Sequence, residues 1–214
     1  MKSWFRSVRA SREKRVNFTG LELVASLIAV AMVLANLRIH PVGWPLAIVS
    51  SLMYAKIFAD SKLYGEASLQ FVFIAMAFWG WWQWLRGRGA DGKPLQVQVL
   101  TPRQRMLAAA ATLAAWPLLG LLLQRVTDSD VPYLDALPTV ASLTGQYLLG
   151  RKYLENWAVW VAVNLFSIAL FAHKGLWLTV ALYAVFAVLA VAGWQAWRRQ
   201  LRLQSRLQAQ LRHG

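Results

Sequence analysis

Seven apolar blocks, each close to the length of one membrane crossing, leave this chain of 214 residues few folds to choose from. They run from about Gly20 to Leu37, Trp44 to Ala59, Leu63 to Leu85, Arg105 to Gln124, Pro132 to Leu149, Asn156 to Ala172 and Gly175 to Trp197. About 20 apolar residues span roughly 30 Å of hydrocarbon as a helix, and a helix satisfies its own backbone groups where water is absent. Composition agrees, with 58% hydrophobic and 15% charged residues. The expectation is an all-α membrane protein with seven transmembrane helices and no separate soluble domain. Pro41, Gly87 to Gly92, Pro102, Pro132 and Gly175 mark the breaks, and Thr101 with Pro102 reads as a helix start.

Net charge of +14 raises the question of nucleic acid, but Lys and Arg lie beside the apolar blocks, where such charge sets topology and meets anionic lipid. The bilayer, and not a nucleic acid, is therefore the expected partner of the basic residues. Arg86, Arg88, Lys93, Arg103 and Arg105 flank the third loop, Arg151 and Lys152 lie in the fifth, and five arginines from Arg198 to Arg212 follow the last block. The alternate loops hold Asp60, Lys62 and Glu66, then Arg125, Asp128 and Asp130, then His173 and Lys174. The positive-inside rule then puts the C-terminus in the cytoplasm and the N-terminus outside. Residues 1–17, with six basic groups around Trp4, Phe5 and Val8, run against that rule and read as a retained helix lying in the interface.

Sliding the chain along itself by 113 residues brings the first three blocks onto the last three without a gap. Trp44 meets Trp157, Phe58-Ala59 meets Phe171-Ala172, Leu21-Glu22 meets Leu134-Asp135, and Gly80-Trp81-x-x-Trp84-x-Arg86 meets Gly193-Trp194-x-x-Trp197-x-Arg199. The reading is a 3+1+3 arrangement of two parallel three-helix repeats, a transporter plan. Its parts are a basic segment over 1–17, a first repeat over 18–88, a loop and linker helix over 89–130, a second repeat over 131–199, and a basic tail over 200–214.

Polar side chains far from span ends are costly in lipid and face a cavity or a partner helix. Trp157, Trp160, Asn164 and Ser167 share one face of the sixth block at helical spacing, and Thr139, Ser142 and Gln146 share one face of the fifth. At the matching places the second block has Trp44, Ala47, Ser51 and Tyr54, so bulk on one side stands opposite small residues on the other. An off-centre cavity for a flat, cationic heterocycle follows, with Trp157, Trp160 and Asn164 as one wall and Gln70, Gln146, Tyr183, Ser51 and Tyr54 around it. Trp81, Trp84, Trp194 and Trp197 read as an interfacial aromatic belt. The sequence has no mid-span carboxylate, no nucleophile beside a base, no Cys, and only His40, His173 and His213 as scattered histidines. An enzyme, a metal site and a cofactor are not expected, and small-residue faces leave a homo-oligomer open.

The chain resembles the PnuC-type vitamin transporters, a family related to the SWEET sugar transporters. The resemblance runs from Trp44 onward and rests on Trp157-x-x-Trp160-x-x-x-Asn164, Val131-Pro-Tyr-Leu-Asp-Ala-Leu137, Glu155-Asn-Trp157 and the Gly-Trp-x-x-Trp ends of both repeats. It implies a seven-helix carrier that takes up nicotinamide riboside, an NAD precursor, by uncoupled facilitated diffusion, with a cytoplasmic kinase trapping the substrate. It also leaves thiamine or riboflavin as alternatives. A SWEET-like sugar uniporter and a membrane interaction protein that carries nothing are the remaining readings.

Overall fold

The computed structural model describes residues 2–60, 64–89, 91–126, 131–173 and 177–213. They form seven helices: α1 Lys2–Leu37, α2 Gly43–Asp60, α3 Tyr64–Arg86, α4 Pro102–Val126, α5 Pro132–Gly150, α6 Asn156–His173 and α7 Trp177–His213. The apolar blocks set the inner helix ends to within a few residues. The basic segments at the two ends are continuous with α1 and α7 instead of forming separate elements. Lys62, Leu63, Asp128, Asp130, Lys174 and Gly175, which the sequence places in loops and at helix starts, lie outside the described residues. So does the side chain of Glu66. Thr101 caps α4 as expected: its Oγ1 accepts from Gln104 N at 3.3 Å while Gln104 Oε1 accepts from Thr101 N at 2.9 Å, a reciprocal capping box.

Among the described residues four stretches are long and apolar enough to cross a membrane: Gly20–Leu37, Pro102–Val126, Asn156–His173 and Thr179–Leu207. The helices α2, α3 and α5 carry more polar side chains, and several of these bond within the bundle. Ser50 Oγ donates to Ala25 O at 3.2 Å, Tyr54 and Ser26 hydroxyls pair at 2.9 Å, and Thr112 and Thr144 hydroxyls pair at 2.7 Å. Such bonds hold helices together where lipid tails remove the hydrophobic drive.

Helix α1 packs on α2 and α2 on α3; α5 packs on α6 and α6 on α7; α1 meets α7, α3 meets α5, and α4 docks on α5. Apart from the docking of α4, exchanging α1, α2 and α3 with α5, α6 and α7 leaves these neighbour relations unchanged. The α1–α2 and α5–α6 turns match bond for bond at the 113-residue offset. Ile39 and Lys152 both take φ of 56°. Ile39 N donates to Asn36 O at 3.0 Å and Lys152 N to Leu149 O at 3.0 Å, while His40 N donates to Ala35 O and Tyr153 N to Leu148 O, both at 2.9 Å.

Four tryptophans fill the centre between the turns. Trp44 stands edge-on to Trp84 at 5.5 Å, Trp84 lies 6.2 Å from Trp197, and Trp197 meets Trp157 edge-on at 5.6 Å. Trp84 Nε1 donates to Leu149 O at 3.0 Å and Trp197 Nε1 to Asn36 O at 3.1 Å, so each half ties its indole to the last turn of the other half's first helix. Trp84 and Trp197 are therefore core residues and not the interfacial belt that the sequence suggested. A buried indole N–H needs an acceptor, and helix ends offer carbonyls that no helical N–H reaches. Gly80 lies against the Trp44 ring and Gly193 against the Trp157 ring, which is why the Gly-Trp-x-x-Trp pattern occurs twice.

The halves differ in what covers their turns. Residues 87–101 strap the α5–α6 turn: Gln98 N donates to Lys152 O at 3.0 Å, Leu154 N to Gln98 O at 2.9 Å, and Lys152 Nζ to Leu95 O at 3.0 Å with the Trp84 ring 5.0 Å below it. Burial there pushes the Lys152 ammonium below its usual pKa. Glu155 accepts from Leu100 N and pairs with Arg105 at 2.9 Å, fixing the start of α4 to the start of α6. Further along, Trp116 Nε1 donates to Tyr133 O at 2.7 Å and Gly120 packs on the Tyr133 ring.

A methyl at Gly193 would stand 2.6 Å from the Trp157 ring. Gly193→Ala is expected to cost about 1–3 kcal/mol by overpacking, read as a lower melting temperature in detergent. An unchanged melting curve would show that the ring has room to move.

Candidate functional site

Beneath the tryptophan cluster lies a cavity of about 220 Å³ between α1, α5, α6 and α7. Helix α6 supplies Trp157 in its first turn, Trp160 one turn later, and Asn164 beyond that. The Trp157 ring is fixed by Gly193 behind it and Trp197 beside it. Trp160 lies close along the α5 backbone, because position 145 is glycine: a methyl there would stand 3.2 Å from Trp160 Cε2. Gln146 follows on α5, and Tyr183 and Phe186 come from α7, edge-on to each other at 6.1 Å. Tyr183 is hydrogen-bonded to Ser167 on α6.

The polar lining is notable for what it does not bond. Asn164 is 5% exposed and Gln146 8%, and neither has a hydrogen bond to a described residue. Trp157 Nε1 and Asn36 Oδ1 are buried without a partner among the described residues. Each unpaired buried polar group costs about 1–3 kcal/mol, and native proteins keep few of them. Trp157 Nε1 and Asn36 Oδ1 are sealed from the cavity, whereas the Asn164 and Gln146 amides are open to it and can complete their hydrogen bonds with something that enters. Among its described lining residues none is Lys, Arg, His, Asp or Glu.

Five of the eight residues expected from sequence meet here: Trp157, Trp160, Asn164, Gln146 and Tyr183. Ser51, Tyr54 and Gln70 do not line the cavity. The wall facing α6 is α1, which stands against both α2 and α7 and contributes Ala29, Met32, Val33 and Asn36. Tyr54 is bonded to Ser26 on α1, and Ser51 and Gln70 are half-buried on α2 and α3. The matching of repeats led to α2 because it aligns with α6, but the cavity is centred on the α1–α5 pair. Along that pair Ala29 and Ser142, Val33 and Gln146, and Asn36 and Leu149 all line the cavity, each couple 113 residues apart. Asn36 was not singled out because it sits at the end of its apolar block, where an amide is unremarkable. Its lack of a polar counterpart at Leu149 was the available signal.

The family model described as "Nicotinamide mononucleotide transporter" matches residues 19–199. The chain is 32% identical over 130 residues to the nicotinamide riboside transporter PnuC of Neisseria mucosa, covering 58% of this chain and 49%, about half, of that protein. It is 28% identical over 188 residues to the riboflavin/roseoflavin transporter RibM of Streptomyces davaonensis, covering 86% of this chain and 87% of that one. It is 24% identical over 174 residues to the nicotinamide riboside transporter PnuC of Escherichia coli, covering 70% and 73%. The crystal structure of a vitamin B3 transporter PnuC superposes with a TM-score of 0.72 over 92% of this chain and 88% of that one at 24% identity, a likeness of fold.

Replacing Asn164 by Leu, of similar size, exchanges an amide of the cavity lining for an apolar side chain. The ligand-free protein is expected to gain about 1 kcal/mol, seen as a melting temperature raised by a few degrees. A comparable fall would show that the amide is bonded within the protein.

Proposed function

We propose, from the premise that the chain belongs to the nicotinamide mononucleotide transporter family, that it carries nicotinamide riboside across a bacterial cytoplasmic membrane by uncoupled facilitated diffusion. The observation that carries this reading is one cavity holding two indoles and two unpaired amides with no ionised side chain among its described lining residues. Nicotinamide riboside is a flat cation bearing a primary amide and a pentose. Indole faces attract such a cation by about 2 kcal/mol when it is desolvated, and the Asn164 and Gln146 amides can each donate to and accept from a carboxamide. The mononucleotide adds a phosphate, whose burial without a cation is far more costly than any contact here could offset.

Coupling to protons or sodium generally uses a buried carboxylate, and none lines the cavity among the described residues. That supports a uniporter whose direction is set by phosphorylation of the substrate in the cytoplasm. The shared neighbour relations and matching turns support a 3+1+3 carrier, with repeats over 18–88 and 131–199 in one orientation. Lys and Arg around the third and fifth loops and after α7 support a cytoplasmic C-terminus and an external N-terminus.

Riboflavin is the second reading, because the alignment with the riboflavin/roseoflavin transporter covers most of both chains. Its three-ring system is neutral and gains no cation–π attraction from the two indoles. Counterflow in proteoliposomes separates the readings: labelled nicotinamide riboside exchanges against unlabelled, and riboflavin and thiamine do not drive it. Exchange of riboflavin or thiamine alone would overturn the assignment, and exchange of none of the three would mean that the bundle does not carry them. Trp160→Ala and Asn164→Ala are each expected to weaken nicotinamide riboside binding by about 1–3 kcal/mol in calorimetric titration. Ser51→Ala leaves it unchanged; a loss there as large as at Asn164 would move the site towards α2.

A further inference from the structure

The α1 wall brings one amide to the cavity that neither the sequence pattern nor the family resemblance assigned. Asn36 is 4% exposed, its Oδ1 rests against Gly43 without a hydrogen-bond partner among the described residues, and the residue lines the cavity. Its backbone carbonyl accepts from Trp197 Nε1, and Trp197 stands edge-on to Trp157. Asn36 therefore sits at the Trp157 end, beneath the tryptophan cluster. Asn164 lies at the other end: seven residues along α6 from Trp157, it is about 10 Å further along the helix axis. Two unpaired amides thus mark the poles of the cavity, with the Trp160 ring between their levels.

This spacing sorts a nucleoside by its ends. A carboxamide and a side-chain amide pair by mutual donation and acceptance, which suits Asn164 with Gln146 nearby. The inner pole offers the Asn36 Nδ2 donor, since Asn36 Oδ1 and Trp157 Nε1 are sealed from the cavity; a pentose hydroxyl can accept from it, whereas a carboxamide NH2 would find no acceptor there among the described residues. We infer that Asn36 reads the pentose, holding its hydroxyl groups at the inner end of the cavity and so separating a riboside from the bare cationic ring. This inference rests on nicotinamide riboside being the substrate.

The repeat supplies a test that does not depend on tolerance of an arbitrary side chain. Leu149 occupies the matching place in the other half, on the same turn geometry, buried to 4% exposure and lining the same cavity. Asn36→Leu therefore introduces a residue that this backbone already accepts, and the Trp197 bond to the Asn36 backbone carbonyl is untouched by it. Wild type and Asn36→Leu are titrated with nicotinamide riboside and with 1-methylnicotinamide, which has the cationic ring and carboxamide but no sugar, following tryptophan fluorescence to millimolar ligand. Asn36→Leu is expected to weaken the riboside by about 10- to 100-fold and to leave 1-methylnicotinamide within twofold. Equal losses for both ligands, or no loss for the riboside, overturn the inference. Asn36→Ala gives the same selective loss, with melting curves confirming that both variants are folded. Failure of the wild type to bind the riboside would instead overturn the substrate assignment.

Discussion

Two reciprocal hydrogen bonds hold this bundle together at its centre: Trp84 to the Leu149 carbonyl and Trp197 to the Asn36 carbonyl. Each buries an indole N–H that would be costly to leave unpaired, on the second lone pair of a helix-end carbonyl that also accepts from its own turn. Because each bond crosses from one half to the other, the halves are tied where α1 and α5 end. The rest is arranged around that tie. Gly80 and Gly193 admit the Trp44 and Trp157 rings, the two turns repeat each other with Ile39 and Lys152 in the left-handed region, and the cavity opens directly beneath.

A symmetric frame does not by itself bind an asymmetric solute. The difference lies in side chains at equivalent positions: Trp160 against Ala47, Asn164 against Ser51, Gln146 against Val33, and Asn36 against Leu149. Bulk and polarity on α6 and on one stretch of α5 correspond to small and apolar residues on α2 and α1, with the order reversed between Asn36 and Leu149. In the proposed carrier the Asn164 and Gln146 amides would give an entering ligand its hydrogen bonds. Asymmetry extends to the turns, where residues 87–101 and the Arg105–Glu155 pair cover only the α5–α6 turn among the described contacts.

Much of this was legible in the sequence. Block length and helical self-satisfaction in lipid gave the seven helices, and the spacing of Trp157, Trp160 and Asn164 gave the face that lines the cavity. What the sequence did not give was depth. Trp84 and Trp197 lie next to arginines, as belt residues do, and only the fold shows their rings meeting at the core. Likewise, the alignment of repeats pairs α2 with α6, whereas α1 stands between α2 and the cavity, so Ser51, Tyr54 and Gln70 fall outside it. Which helix faces which is decided by long-range packing, as in the bond between Asn36 and Trp197, and no local pattern records it.

A cavity with no ionised side chain among its described lining residues is proposed to select a cationic nucleoside by its ring and amide. Nicotinamide riboside and nicotinamide mononucleotide differ only by a phosphate, so calorimetric titration of the purified protein with the two compounds tests it most directly. The riboside is expected to bind saturably and the mononucleotide at least about 1,000-fold more weakly, since the phosphate has no cation to meet. Equal affinity for the two, or preference for the mononucleotide, would contradict the account.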